Sequence, residues 1–335
     1  MYRIERARSQ RAVVAVLALG CVWAGVTAFD AAKAWLADTR QVLPADGRIR
    51  FAVIGDYGRQ GEPSAAVARL VQQRNPDFVI TTGDNNYPRG EARTIDENIG
   101  RLYARFIHPY RGAYGPGGAE NRFFPTLGNH DLQTGGGRPY FDYFTLPGNE
   151  RYYDFRAGAA HFFALESDVG AHDGLRRWSP QRLWLAARLA RAPDACWRVA
   201  CFHHPPYASS RKQVPGMRWP FAQWGVDVVL SGHAHLYERL EVDGVTYVVV
   251  GNSGNTLDRF RKRGPEPGSA VRFNDDFGAL FVDIDGGALE AEFVTRDGRT
   301  IDRVRLTKAC GALAGQARSP KTPWKPRRIA TNASR

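Results

Sequence analysis

The sequence predicts an α/β fold whose strands end on one shared polar site, and three observations predict it. Short apolar runs alternate with helical patterns from residue 49 onward. Five of these runs stop at polar clusters containing Asp, Asn or His, most of them opened by Gly. Beyond residue 245 the apolar residues recur with a period of two, as antiparallel strands do. Ligands of open α/β sheets bind beyond the carboxyl ends of the strands, so the five clusters are expected to converge.

Taken in order, Ile49 to Ile54 reads as a buried strand running into Gly55-Asp56. Ser64 to Arg74 fits a helix capped by Ser64 and ended by Pro76. Phe78 to Thr82 is the next strand and runs into Gly83-Asp84. Thr94 to Ile107 has the spacing of an amphipathic helix, and Phe123 to Leu127 leads into Gly128-Asn129-His130-Asp131. Ser179-Pro180 opens a helix through Arg191, with proline where a missing N–H does no harm. Trp197 to Phe202 leads into His203, and Val226 to Leu230 into Gly232-His233. Val245 to Gly251 and Phe277 to Leu306 read together as antiparallel meander, with turns at Asp285-Gly286-Gly287 and Asp297-Gly298.

The ends differ from this body. Four arginines within residues 1–11 precede an apolar run, Ala12 to Phe29, closed by Asp30. A basic start, an apolar stretch and a polar boundary have the layout of a secretory signal or signal-anchor over 1–29, and export is expected. Eighteen apolar residues stand at the lower limit for a membrane span, so a retained anchor, a signal cleaved after Ala28 and a lipoprotein site at Cys21 all stay open. Residues 30–48 read as a linker, 49–308 as the folded domain, and 309–335 as a basic, disordered tail. The formal charge of +12 lies mostly in the two ends, which argues against a specific nucleic-acid partner. Cys196 and Cys310 can pair in an oxidising compartment, Cys201 falls in a buried strand, and no zinc-type cysteine spacing exists.

The strand-end clusters are Gly-Asp56-Tyr-Gly, Gly-Asp84-Asn-Asn-Tyr87, Gly-Asn129-His130-Asp131, Phe-His203-His204-Pro and Gly-His233-Ala-His235. Carboxylates, imidazoles, an amide and a phenol suit iron, zinc or manganese better than a thiolate-bound ion. Asp56 or Asp84 alone reads as a turn residue. His108, His161 and His172 read as ordinary structural histidines, and Asp131 either orients His130 or caps a turn.

All five clusters in this order resemble the calcineurin-like metallophosphoesterases. Tyr87 and the run Gly-His233-Ala-His235-Leu-Tyr-Glu-Arg resemble the small, single-domain purple acid phosphatases among them. The resemblance covers about residues 50–306. It implies a four-layer α-β-β-α sandwich of two mixed sheets flanked by helices. It also implies two metal ions, the first held by Asp56, Asp84, Tyr87 and His235, the second by Asp84, Asn129, His203 and His233. Fe(III) is expected at the Tyr87 site and Fe(II), Zn or Mn at the other. His203 is favoured over His204 because it stands two residues before Pro205, which leaves His204 as pocket wall or hydrogen-bond donor.

Paired ions of this kind polarise a phosphoryl group and activate a hydroxide for in-line attack. By the resemblance, the catalytic His130 would stand near the leaving group, either as a proton donor or as a hydrogen-bond donor to phosphate, with Asn129, His130 and His204 meeting the substrate. The reaction implied is hydrolysis of a small phosphate monoester. A phosphodiesterase on nucleotides or lipids and a non-catalytic, membrane-tethered phosphate-binding protein are the alternatives. Relatives often carry further histidines before Gly-His-x-His, but the loop 208–218 has none. Arg211, Lys212 or Arg218 can meet the substrate's charge instead.

Overall fold

The computed structural model describes residues 30–43, 47–191 and 195–310. The apolar run 12–29 and the tail beyond 310 lie outside the described residues. Among the described residues, no helix is long and apolar enough to cross a membrane.

Among the described residues, fourteen strands form two mixed sheets. The six-stranded sheet has the order β14 (Thr300–Thr307), β13 (Ala288–Thr295), β12 (Gly278–Asp285), β2 (Ile49–Ile54), β3 (Phe78–Thr81) and β4 (Phe123–Pro125). β2, β3 and β4 run parallel, and β12 joins β2 antiparallel. The eight-stranded sheet has the order β1 (Arg40–Leu43), β5 (Tyr153–Ala157), β6 (Ala160–Ala164), β7 (Trp197–Cys201), β8 (Val228–Ser231), β10 (Val245–Val250), β9 (Tyr237–Val242) and β11 (Ser269–Phe273).

The sheets pack face to face through aromatic rings. Phe51 of β2 meets Phe162 of β6 edge-on at 5.2 Å, and Phe124 stacks on Phe155 at 3.9 Å. Phe163 points the other way, because successive strand residues face opposite sides. There it joins Trp184, Leu185 and Leu189 in a second core beneath helix α5 (Pro180–Ala190). On the far side, α1 (Glu62–Arg74) buries Val67, Leu70 and Val71 against the six-stranded sheet. The result is the expected four-layer α-β-β-α sandwich.

Several local expectations are corrected. Ser64 does not cap α1: Gly61 holds the cap position and Pro63 occupies the first turn. The Ser64 hydroxyl instead donates to the carbonyls of Tyr57 and Arg59 and pins the loop after Asp56. The helix expected over Thr94 to Ile107 is broken into α2 (Ala92–Ile95), a π-turn over Asp96–Gly100, α3 (Arg101–Tyr103) and a 3₁₀ turn, and a further short helix, α4 (Arg138–Tyr143), follows β4. The break accommodates the Asp96 carboxylate, which accepts from Tyr110 and Tyr143 hydroxyls at 2.7 Å each and from the Ala113 amide. Gly100 is needed there, because a Cβ would run into that carboxylate. The Ser179 side chain makes no cap bond, although Pro180 does open α5.

β10 belongs to the eight-stranded sheet, parallel to β8, and not to the meander β12–β13–β14. Residues 30–48, read as a linker, carry a helical stretch over 30–36 and strand β1, which adds to the sheet edge beside β5. His161 lies in a strand, β6, as its reading implies, whereas β5, β9 and β11 were not anticipated. A disulfide joins Cys196, just before β7, to Cys310, just after β14, with the Cα atoms 5.1 Å apart.

Candidate metal centre

The five clusters meet where the two sheets present the carboxyl ends of their strands. β2, β3 and β4 deliver Asp56, Asp84 and Asn129, while β7 and β8 deliver His203 and His233. Backbone bonds lock the ends together: the Asp56 amide donates to the Gly83 carbonyl, and the Gly232 amide to the His203 carbonyl. Asp56, Asp84 and His233 all adopt left-handed backbone, with φ of 54°, 52° and 64°. Such conformations are costly for residues with a Cβ and persist where the surroundings over-determine them, typically at functional sites. Gly232 permits the crowding, since a Cβ there would lie 2.6 Å from an Asp56 carboxylate oxygen.

Two groups of donor atoms result. In the first, the Tyr87 hydroxyl lies 2.7 Å from Asp84 Oδ2, 3.2 Å from Asp56 Oδ1 and 3.4 Å from His235 Nε2. In the second, His203 Nε2 lies 3.1 Å from Asn129 Oδ1, 3.1 Å from His233 Nδ1 and 3.5 Å from Asp84 Oδ1. Asp84 thus offers one oxygen to each group. Donors bound to one ion at about 2.0–2.2 Å stand about 3.0–3.5 Å apart, so both groups have the spacing of a ligand shell. His203, Asp56 and Asp84 form one compact metal-capable cluster, and His203, His204 and His233 another. The donor chemistry fits a pair of cations.

The hydrogen bonds decide which nitrogen each ring presents. His203 Nδ1 faces the Thr82 carbonyl at 2.8 Å, and His235 Nδ1 faces that of Thr256 at 2.7 Å. Each Nδ1 therefore carries the proton, and each Nε2 turns a lone pair into the site, as ligation requires. Burial first, and then neighbouring His204 and His235 against the favourable charge of Asp56, hold His203 down to about 3, so its ring is neutral. Burial and the adjacent His203 also push His233 down. For His235 burial works downward, but the Asp56 carboxylate at 3.2 Å overcomes it and raises the ring.

His204 differs. The Ser167 hydroxyl accepts from the amides of both His203 and His204, which leaves its own proton for His204 Nδ1 at 3.0 Å. The neutral His204 ring must then carry its hydrogen on Nε2, as a donor and not a lone pair. Its ring stands 4.4 Å from His233. His130 lies over Tyr87 at 4.4 Å, with Nδ1 bound to the Pro88 carbonyl and Nε2 3.9 Å from Asp84 Oδ2. Asp131 does not orient the His130 ring. Its carboxylate accepts from the amides of Asn85, Asn86 and Gly128 and from the Asn85 side chain, which fixes the turns after β3 and β4. Burial and then the Asp84 charge push Asp131 up to about 7.

Of the three basic candidates in the loop 208–218, Lys212 is the one whose charge reaches the imidazoles of His233 and His235. Its ammonium pairs with Asp258 at 2.8 Å, and Asp258 in turn accepts the His235 amide. Arg218 is committed to Glu266 and to the Tyr207 ring. Arg211 is exposed. His161 pairs with Asp154 at 2.7 Å inside the eight-stranded sheet, away from the centre.

Sequence reasoning missed Ser167, Asn255 and Asp258. Asn255 takes Arg59 at 3.2 Å, and its amide donates to the Asp56 carbonyl. It ends the run Gly251-Asn252-Ser253-Gly254-Asn255 after β10, a sixth strand-end cluster of the same composition as the others.

Comparison with known proteins agrees with this geometry. The sequence profile of the calcineurin-like phosphoesterases matches residues 49–237. Purple acid phosphatase 23 of Arabidopsis thaliana is 29% identical over 246 residues, 62% of this chain and 52% of that protein. Purple acid phosphatase 4 of the same plant is 22% identical over 308 residues, 82% of this chain and 88% of its own length. The chain spans about half the length of the first curated relatives it matches. Among solved structures, a purple acid phosphatase from yellow lupin (Lupinus luteus) seeds superposes with a TM-score of 0.63 at 19% identity, over 84% of this chain and 57% of that one. GAP50, the anchor in the inner membrane complex of Plasmodium, gives 0.57 at 18% identity, over 79% and 90%. At these identities the superpositions speak to the fold.

Proposed function

The chain belongs to the calcineurin-like phosphoesterase family, and from that premise we propose that it is an exported, two-metal hydrolase of phosphate monoesters. The observation that carries the reading is Asp84, whose two oxygens face two separate donor groups of ligand-shell spacing. Asp56, Asp84, Tyr87 and His235 would hold one ion, and Asp84, Asn129, His203 and His233 the other. When bound, the pair supplies Lewis acidity to the phosphoryl group and to water. Fe(III) at the Tyr87 site, with Fe(II), Zn or Mn beside it, accounts best for a phenol among the donors.

The chain's own side chains do the rest. His204 presents Nε2–H to a phosphoryl oxygen. His130, with Nδ1 engaged by the Pro88 carbonyl, keeps Nε2 on the side of the centre for the leaving oxygen. Lys212, whose charge reaches His233 and His235, meets the phosphate's negative charge. Lys212→Met is expected to raise KM about tenfold with kcat little changed, the scale of one charge-assisted hydrogen bond, and Lys212→Arg to recover most of it. A fall in kcat at unchanged KM would remove Lys212 from substrate binding.

Metal content measured together with turnover of a monoester and a diester chromogenic substrate tests the activity. Two ions per chain with monoester preference are expected, diester preference favours the phosphodiesterase, and bound metal without turnover sinks the hydrolase. Export is supported by the apolar run 12–29 behind its arginines and by the Cys196–Cys310 disulfide, which persists in oxidising compartments. A reporter fused after Arg40 that is active only in the cytoplasm would overturn it.

A further inference from the structure

Six large apolar side chains are exposed among the described residues: Trp35, Leu36, Tyr114, Val169, Trp178 and Leu183. All but Tyr114 fall on three pieces of chain that pack together, namely the stretch 30–36, the loop 166–179 and helix α5. The Trp184 indole and the Arg188 guanidinium both donate to the Ala34 carbonyl, at 3.1 and 3.0 Å. Ala34 itself is 1% exposed. Trp35 and Leu183 are therefore the immediate neighbours of a bonded, buried pair. At the other end Asp30 faces His172 of the loop at 3.9 Å, and Asn149 donates to the Asp30 carbonyl at 3.2 Å.

Leu36 and Val169 are each 82% exposed and Trp178 73%, a degree of exposure that scattered surface residues of this size seldom reach together. Basic groups lie among them. Arg176 and Arg177 are exposed, the Arg177 guanidinium lies 4.9 Å from the Trp178 ring, and Arg182 follows on α5. The acids of these segments, Asp30, Glu166, Asp168 and Asp173, are half-buried or buried. Indole rings, branched aliphatics and arginines side by side are the composition of surfaces at a lipid–water interface, where arginine keeps its head at the phosphates. The apolar run 12–29 ends one residue before this face begins.

We propose that this face, formed by 30–36, the loop 166–179 and α5, lies on a bilayer containing anionic lipid. The stretch after the apolar run is then a docked spacer and not a free tether. The loop also carries Ser167, which seats His203 and His204, so the same contact sets the side of the domain on which the metal centre opens. The proposal rests on the reading of 12–29 as a membrane-directed segment.

The test uses the full chain with Cys21→Ser, reconstituted in nanodiscs of phosphatidylcholine and phosphatidylglycerol. Trp178→Cys and Leu183→Cys variants carry a nitrobenzoxadiazole label, with Tyr114→Cys as the reference off the face. Cys201 is buried and Cys196 is bonded to Cys310, so the new thiol takes the label. On the face, emission should rise and shift to the blue, lose most of its intensity with nitroxide-bearing lipids, and weaken in phosphatidylcholine alone. Tyr114→Cys should do none of this.

Face labels that behave like Tyr114→Cys in a chain that stays with the nanodisc overturn the docking and leave the anchor intact. Face labels that are bright yet insensitive to nitroxide lipids mean that a second copy, or the run itself, covers the face, and this too overturns the proposal. A chain recovered without its apolar run contradicts the anchor. The same labels read with vesicles of the same lipids then decide the docking on their own.

Discussion

The phenol of Tyr87 must lose its proton to bind an ion, and its surroundings oppose that loss. Burial, then the charges of Asp56 and Asp84, push it far above its ordinary value. Only a strongly Lewis-acidic ion displaces such a proton, and ferric iron meets that demand better than Zn²⁺ or Mn²⁺. The iron-loaded protein is therefore expected to be coloured by charge transfer from the phenolate. Tyr87→Phe should bleach the band while Asp56, Asp84 and His235 keep some metal and some hydrolysis. An unchanged spectrum in the variant would end the ligand role.

His203 and His204 are told apart by the same kind of detail. His203 turns a lone pair into the centre, whereas Ser167 makes His204 a donor. His203→Ala should cost about one metal per chain, and His204→Ala should keep both ions and weaken turnover. Metal analysis on the two variants checks this, and full occupancy in His203→Ala would sink the assignment.

At the scale of elements, the segment after β6 carries a buried charge that the centre does not use. Glu166 is 3% exposed, and burial pushes it up to about 7, with Arg151 at 3.6 Å opposing and Asp168 and Asp173 adding to the rise. Its folded value lies above the unfolded one, so the fold binds the proton more tightly than the unfolded chain does. The contribution of Glu166 to stability is thus full below about pH 4.5 and is lost as pH rises towards 7, by about 3 kcal/mol at most. Glu166→Gln cannot ionise, so its stability relative to wild type should improve from pH 4.5 to about 7 and level off above that. Denaturant unfolding of both proteins at these pH values measures the change, and a difference independent of pH would refute it. The segment joins β6 to α5, so protonation here steadies the loop that holds Ser167.

For the whole molecule, the two sheets are held together twice. The rings of Phe51, Phe78, Phe124, Phe155 and Phe162 interlock between them. The disulfide then ties the start of β7 in one sheet to the end of β14 in the other, across 114 residues of chain. Closing a loop of that length restricts the unfolded chain by about 5 kcal/mol in the chain-entropy view. Replacing Cys196 and Cys310 by Ala should lower stability by several kcal/mol, and reductant should lower the wild type by a similar amount without affecting the variant. Equal denaturation midpoints with and without reductant would show that the bond contributes nothing.

What the sequence determined by itself was local: which strands end in Gly-Asp, Gly-Asn-His and Gly-His-x-His, and therefore which side chains a shared sheet edge must bring together. Asp56, Asp84, Tyr87, Asn129, His203, His233 and His235 are all found at that edge, because a residue two to six positions past a strand end has little freedom to be elsewhere. Turn residues such as Asp285-Gly286 and Asp297-Gly298 were legible for the same reason. Tertiary structure decided whatever depends on distant partners. Thr82 and Thr256 carbonyls select the tautomers of His203 and His235, and Ser167 separates His204 from His203. Asp258 links Lys212 to the centre, the sheet beside β8 claims β10, and β5 turns the short stretch 40–43 into an edge strand. Each of these is a contact between residues far apart in the chain, which neither periodicity nor spacing records.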